Sequence, residues 1–178
     1  MPSYVAFLRA VNVGGRFVKM AGLRVALEDA GFTDVATHIQ SGNVFVRSGR
    51  RSCAAVATEM STVLEEFAGF AVPCVVITPV RLRAALAQVD AVPPFLPGAK
   101  RYLAFADGPV PAPAAAQLDA WDAPGERCLV LGSQILAEMT AGFQNTKLTN
   151  ARIERITGRT TTWRDLNVVR AIDEKWGA

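Results

Sequence analysis

The order of elements in this 178-residue sequence predicts an α+β fold of tandem ferredoxin-like (α/β-plait, βαββαβ) repeats packed as one compact unit. Three observations lead there. A strand–helix–strand–strand–helix–strand pattern with a trailing helix occurs twice. A segment from Val92 to Ala99 with three prolines in eight positions separates the two copies, and that proline density suits neither a helix interior nor a central strand. Several strands (VAFL, CVVIT, CLVL) are apolar on consecutive residues, which predicts burial on both faces. Two plaits covering each other's open faces would supply that burial. The expected division is 1–93 and 94–178, each a plait with a trailing helix.

In the first copy, Ser3 to Ala10 reads as a strand. Met20, Leu23, Leu27 and Ala30 have helical spacing, and Gly31 is placed to end that helix. Val35 to Ile39 and Asn43 to Arg47 are short strands joined by the turn Gln40-Ser41-Gly42. Ser52 is an N-cap candidate for a helix with Val56, Met60, Val63, Leu64 and Phe67 on one face, stopped by Gly69. Val72 to Thr78 is the next strand. Pro79 then opens a helix reaching about Val89, with Thr78 as its cap.

In the second copy, Arg101 to Ala106 is a strand and Pro113 to Trp121 an alanine-rich helix. Glu126 to Leu131 and Gln134 to Met139 flank a tight Gly132-Ser133 turn. Asn145 to Thr157 reads as a helix closed by Gly158, and Thr160 to Trp163 as a short strand. Asp165 caps a last helix whose inward stripe is Leu166, Val169, Ile172 and Trp176. The repeat is one of pattern, without strong residue identity between the copies.

The composition, 51% hydrophobic and 20% charged, is that of a globular chain. No run approaches the ~20 apolar residues of a membrane span. The N-terminus reads as a strand and not as a secretory signal, so a cytoplasmic location without a membrane partner is expected. The three cysteines, Cys53, Cys74 and Cys128, are widely spaced, which argues against a zinc site or disulfide framework and for core residues. No cofactor is expected.

A net charge of +3 hides two basic blocks. Residues 9–51 carry seven cations against three carboxylates, and residues 143–164 five against one. In the first block, Arg9, Asn12, Gly14, Gly15 and Lys19, with Arg16, precede a helix N-terminus, an arrangement that suits an anion. It is neither a Walker A, lacking GKS/T, nor a dinucleotide fingerprint, lacking the third Gly. Gln40, Ser41 and Asn43 offer amide and hydroxyl groups at the next turn. The second block supplies Lys147, Asn150, Arg164 and Asn167. The same residues also suit ordinary turns and hydrogen-bond clamps between the plaits. The only histidine, His38, has no carboxylate or Cys partner nearby in sequence, and reads as structural.

Two stretches carry a family resemblance. YVAFLRAVNVGG followed by KMAGLRVALEDAGFTDVATHIQSGNVFVRS, and Lys147-Leu148-Thr149-Asn150 with Ile153-Glu154, Gly158 and TWRDLNVV, resemble the bacterial family known as domain of unknown function 1697. That family shows LRGINVGG, then KM, then TYIQSGNVVF, and near its end KLTN and TTRNWNTV. Ala10 stands for a Gly of that pattern and His38 for a Tyr. Asp165, Leu166 and Val168 also depart, whereas Arg164 and Asn167 match. The resemblance implies a tandem α/β-plait fold and a bacterial origin, and supplies no reaction.

The leading expectation is therefore a protein that binds an anionic or nucleotide-like small molecule in a polar cleft between two plaits. A second reading is an enzyme acting on a phosphorylated substrate, for which no nucleophile or base stands out. A third is nucleic-acid binding. The RNA-recognition signature is missing, and Tyr4 and Phe7, three residues apart, point to opposite strand faces.

Overall fold

The structure, a computed structural model, describes residues 1–12, 14–15 and 17–177. Arg16 of the first basic block therefore lies outside the described residues. The elements are β1 (Ser3–Leu8), α1 (Met20–Asp29), β2 (Thr33–His38), β3 (Asn43–Arg47), α2 (Cys53–Ala68), β4 (Cys74–Ile77) and α3 (Pro79–Asp90). They continue with β5 (Lys100–Ala106), α4 (Ala112–Asp119), β6 (Glu126–Leu131), β7 (Gln134–Met139), α5 (Asn150–Thr157), β8 (Thr161–Asp165) and α6 (Leu166–Trp176). The fold is α+β, with two four-stranded antiparallel sheets and six helices among the described residues. The chain divides into two compact units, 1–82 with 176–178, and 83–175.

In the first unit the strand order is β2-β3-β1-β4. Tyr4, Ala6 and Leu8 of β1, Val44 and Val46 of β3, and Cys74 and Val76 of β4 alternate onto one face. There they form a core with Leu23 and Leu27 of α1 and Val56, Met60 and Leu64 of α2. The intervening residues Val5, Phe7, Val75 and Ile77 are buried as well, so β1 and β4 are withdrawn from water on both faces. The consecutive apolar residues of those strands express that double burial. Ser52 caps α2 as expected, its Oγ accepting from the Ala55 N–H at 3.1 Å, and Gly69 ends the helix at φ +75°.

In the second unit the order is β6-β7-β5-β8. Tyr102, Ala104, Cys128, Ile135, Ala137 and Trp163 pack with Leu118 of α4 and Ile153 of α5. Expected double burial fails for CLVL. In β6 only Cys128 of that run is buried, and Leu129, Val130 and Leu131 are half-buried, because β6 is an edge strand. The expected helix from Asn145 is also corrected. Phe143–Asn145 form a short 3-10 turn, and α5 begins at Asn150. Leu148 is fully buried, and the Thr149 side chain caps α5 by accepting from the Arg152 N–H, so the chain at 146–149 serves as a cap.

The proline-rich segment lies inside the second unit and is fastened there. Pro93, Pro94 and Pro97 have no N–H, which leaves Phe95 and Leu96 as donors between them. Both donate to Oε2 of Glu138, a β7 carboxylate only 1% exposed, the Phe95 bond being 2.9 Å. Glu138 Oε1 accepts from Arg101 Nε at 2.9 Å, and Arg101 Nη2 reaches the Val92 carbonyl at 2.8 Å. One buried carboxylate thus ties the segment to β5 and β7.

Replacing Glu138 with Leu removes the counter-charge of Arg101 and the acceptor of two backbone donors. We expect a loss of about 3–5 kcal/mol in urea unfolding, the usual cost of breaking a buried pair from one side. A loss under about 1 kcal/mol, the range of an exposed pair, would contradict this role.

Candidate functional site

The loop after β1 and the turn between β2 and β3 meet at Gly42. Its carbonyl accepts from the Leu8 N–H at 2.8 Å, and its φ is +77°. A Cβ there would lie 2.6 Å from Val11 Cγ2 and 2.7 Å from Leu8 Cβ, so only glycine allows the approach. Asn12 makes the second tie. Its Nδ2 donates to the Gln40 carbonyl at 2.6 Å, and its Oδ1 accepts from the Val18 N–H at 2.9 Å. The amide therefore closes the loop around Gly14-Gly15 and joins it to the turn. Asn43, fully buried, donates through Nδ2 to the His38 carbonyl and to Ser41 Oγ, holding the turn from within.

Backbone strain collects here. Ala10, Asn12 and Ile39 have φ of +56°, +57° and +52°, three of the four such non-glycine residues described. Asn tolerates this region, whereas a β-branched residue is an outlier in it. Strain of this kind concentrates where a fold holds a functional geometry.

Between the two loops and α1 lies a groove of about 650 Å³. Asn12, Lys19 and Gln40 line it, as the sequence suggested. Phe17, Arg24, Thr37 and Ile39 also line it and are not among the expected site residues, although Thr37 and Ile39 lie in the THIQSGN stretch. Arg24 is held by a 2.9 Å bond from Nη1 to Thr37 Oγ1 on β2. Lys19 occupies the N-cap of α1 without a side-chain cap bond, and the first turn carries no acid. The first N–H groups of a helix have no intrahelical acceptor, so this end is electropositive. No carboxylate is among the described lining residues, and Phe17 and Ile39 stand 78% and 49% exposed.

The other expected residues lie elsewhere. Arg9, Gly14, Gly15, Ser41 and Asn43 are not part of the groove's described wall. The Arg9 N–H donates to the Pro73 carbonyl, and Gly14 and Gly15 turn the loop at positive φ. In the second unit, Glu126, buried in β6, accepts from Thr146 Oγ1 at 2.9 Å and from the Lys147 N–H at 2.8 Å. Asn150 Oδ1 accepts from Thr161 Oγ1, and Glu154 Oε1 accepts from the Thr161 N–H. Trp163 Nε1 donates to the Leu148 carbonyl. Arg164, 7% exposed, donates to Thr162 Oγ1 and the Trp163 carbonyl, and burial pushes its pKa down to about 10. The Asn167 N–H donates to Asp165 Oδ1 at the start of α6. The KLTN and TTWRD stretches are thus one hydrogen-bonded network within their unit.

Burial pushes the Cys74 thiol up to about 11 and the Cys128 thiol to about 12, so neither is a thiolate at neutral pH. The His38 ring meets Trp176 edge-on at 6.3 Å. Among the described residues no group of three or more His, Cys, Asp or Glu could hold a metal ion, and no helix is long and apolar enough to cross a membrane.

Two substitutions test the loop junction in opposite directions. Gly42→Ala adds a left-handed backbone penalty to a steric clash, together about 2–5 kcal/mol of destabilisation. Ala10→Gly removes the penalty while adding chain entropy, for a gain of roughly 0.5–1 kcal/mol. Chemical denaturation of both variants measures the contrast, and equal effects of one sign would refute it.

Comparison with known proteins adds a fold relative and a family. The solved structure of the conserved bacterial protein SP0830 from Streptococcus pneumoniae is similar over 100% of this chain and 99% of that one, with a TM-score of 0.71 at 20% identity. At that identity the likeness concerns the fold alone. No curated protein matches. The family model for proteins of unknown function DUF1697 matches residues 1–135, which include the β1–α1 loop, the Gly42 turn and the whole groove wall, and the chain belongs to that family.

Proposed function

We propose that the first unit is a binding module for an anionic, nucleotide-like small molecule, seated in the groove beside Lys19 and Arg24. The observation that carries this reading is the composition of the groove wall. Two cations, two carboxamides and a hydroxyl line about 650 Å³ with no carboxylate among the described residues. That volume falls in the range of small-molecule sites. Arg24 is pre-positioned by Thr37, which lowers the ordering cost of gripping an anion. Binding is the reading favoured over turnover because no Cys or His is among the described residues that line the groove. We read the architecture around it as two ferredoxin-like plaits in tandem. The strand orders β2-β3-β1-β4 and β6-β7-β5-β8 support that reading. In the same account Lys147, Asn150, Arg164 and Asn167 support the architecture of the second unit and do not contact the ligand.

A thermal-shift screen of anions against wild type and a Lys19→Gln/Arg24→Gln double variant tests the site. Ligand at 100 times its Kd adds about 2.7 kcal/mol, a rise of roughly 5–10 °C in Tm for a chain of this size. The double variant should lose that rise, while its unliganded Tm falls by no more than about 4–8 °C, since the Arg24–Thr37 hydrogen bond is worth about 0.5–1.5 kcal/mol and the exposed Lys19 under about 0.5 kcal/mol. An undiminished rise in the double variant would reject the groove as the site.

A further inference from the structure

The groove wall combines two chemically different kinds of lining, and together they define the ligand more narrowly than its charge. Lys19 and Arg24 are its cations, the latter anchored through Thr37 Oγ1, and the start of α1 is electropositive. Phe17 and Ile39 line the same groove while leaving 78% and 49% of their surface in water. Large apolar groups left in water beside a cavity are stabilised by a ligand that covers them, and an aromatic ring prefers a planar partner.

Charge counting narrows the anion. A phosphate monoester carries about −1.5 to −2 at neutral pH, which the two cations match. A nucleoside triphosphate carries more, and it usually travels with Mg²⁺ held in part by protein carboxylates. The described wall of the groove holds none.

We infer that the groove takes a phosphate monoester of a heterocyclic alcohol, of the nucleoside monophosphate class, without a metal ion. The phosphate sits between Lys19 and Arg24, and the heterocycle lies against Phe17. Thr37 is a positioning residue that fixes the guanidinium. This assignment rests on the anion-binding reading above.

Calorimetric titration of the full chain tests it with four probes, each with and without EDTA. They are adenosine 5′-monophosphate, adenosine, inorganic phosphate and ATP with Mg²⁺. The monophosphate should bind at least tenfold tighter than each of the others, and EDTA should not change its affinity. Arg24→Gln should bring it down to the level of adenosine. Phe17→Ala, at an exposed position that does not threaten folding, should bring it down to the level of phosphate. Thr37→Val should weaken it several-fold, with Thr37→Ser restoring most of the loss. Equal affinity for ATP–Mg²⁺, for phosphate alone or for adenosine would overturn the assignment, as would a monophosphate affinity indifferent to both Arg24 and Phe17. Benzoate serves as an independent anion. If it binds in an Arg24-dependent manner and the monophosphate does not, the monoester assignment falls and the anion site stands. If neither binds, both fall.

Discussion

The architecture of the first unit depends on one close approach, that of the Gly42 backbone to Leu8 and Val11. A side chain at 42 would collide with both, and a backbone at φ +77° favours a residue without a Cβ. Because the contact exists, the turn after β2 lies beside the loop after β1. The carboxamide of Asn12 can then bridge them, bonding the Gln40 carbonyl with one end and the Val18 N–H with the other. Beside that bridge lies the groove, lined by Lys19 at the start of α1 and by Arg24, which bonds Thr37 of β2. Separating the loops would remove one wall of the groove. The strained φ values of Ala10 and Ile39 are the cost of holding this arrangement, and the buried core beneath it, with Leu8, Val11 and Val18, offsets that cost.

Much of the element order is legible in the sequence because local chemistry and tertiary packing agree. Ser52 and Gly69 bound α2 as their types suggest, and the strands at 43–47, 126–131 and 134–139 have the expected limits. Disagreement appears where tertiary bonds override local propensity. The sequence suggests a helix from Asn145, yet Glu126 captures the Lys147 N–H and Thr146 hydroxyl and the helix starts only at Asn150. The prolines at 93, 94 and 97 mark a break in the pattern, and nothing local shows that the break is clamped to β7 by Glu138. Glu126 and Glu138 look like ordinary strand carboxylates until the fold buries them.

The candidate site was half legible for a related reason. Asn12, Lys19 and Gln40 fall in distinctive motifs. Arg24 and Thr37 become a pair only when α1 packs beside β2, and Phe17 and Ile39 gain meaning only as exposed apolar groups beside a cavity. The second basic block lies in the other unit. Its hydroxyls and amides are spent on neighbours: Thr149 on a helix cap, Asn150 on Thr161, and Thr162 on Arg164. Basic, amide-rich sequence thus supplies groove-lining residues in one unit and hydrogen-bonded residues in the other.

The central claim is that the groove of the first unit, and not the second basic block, receives an anionic ligand. Backbone NMR of the full chain during titration with adenosine 5′-monophosphate addresses it residue by residue. The account predicts saturable shifts at the amides of Met20, Ala21 and Gly22, at Thr37 and at Gln40, with residues 147–167 unmoved. Shifts centred on 147–167, or none at millimolar ligand, would contradict it.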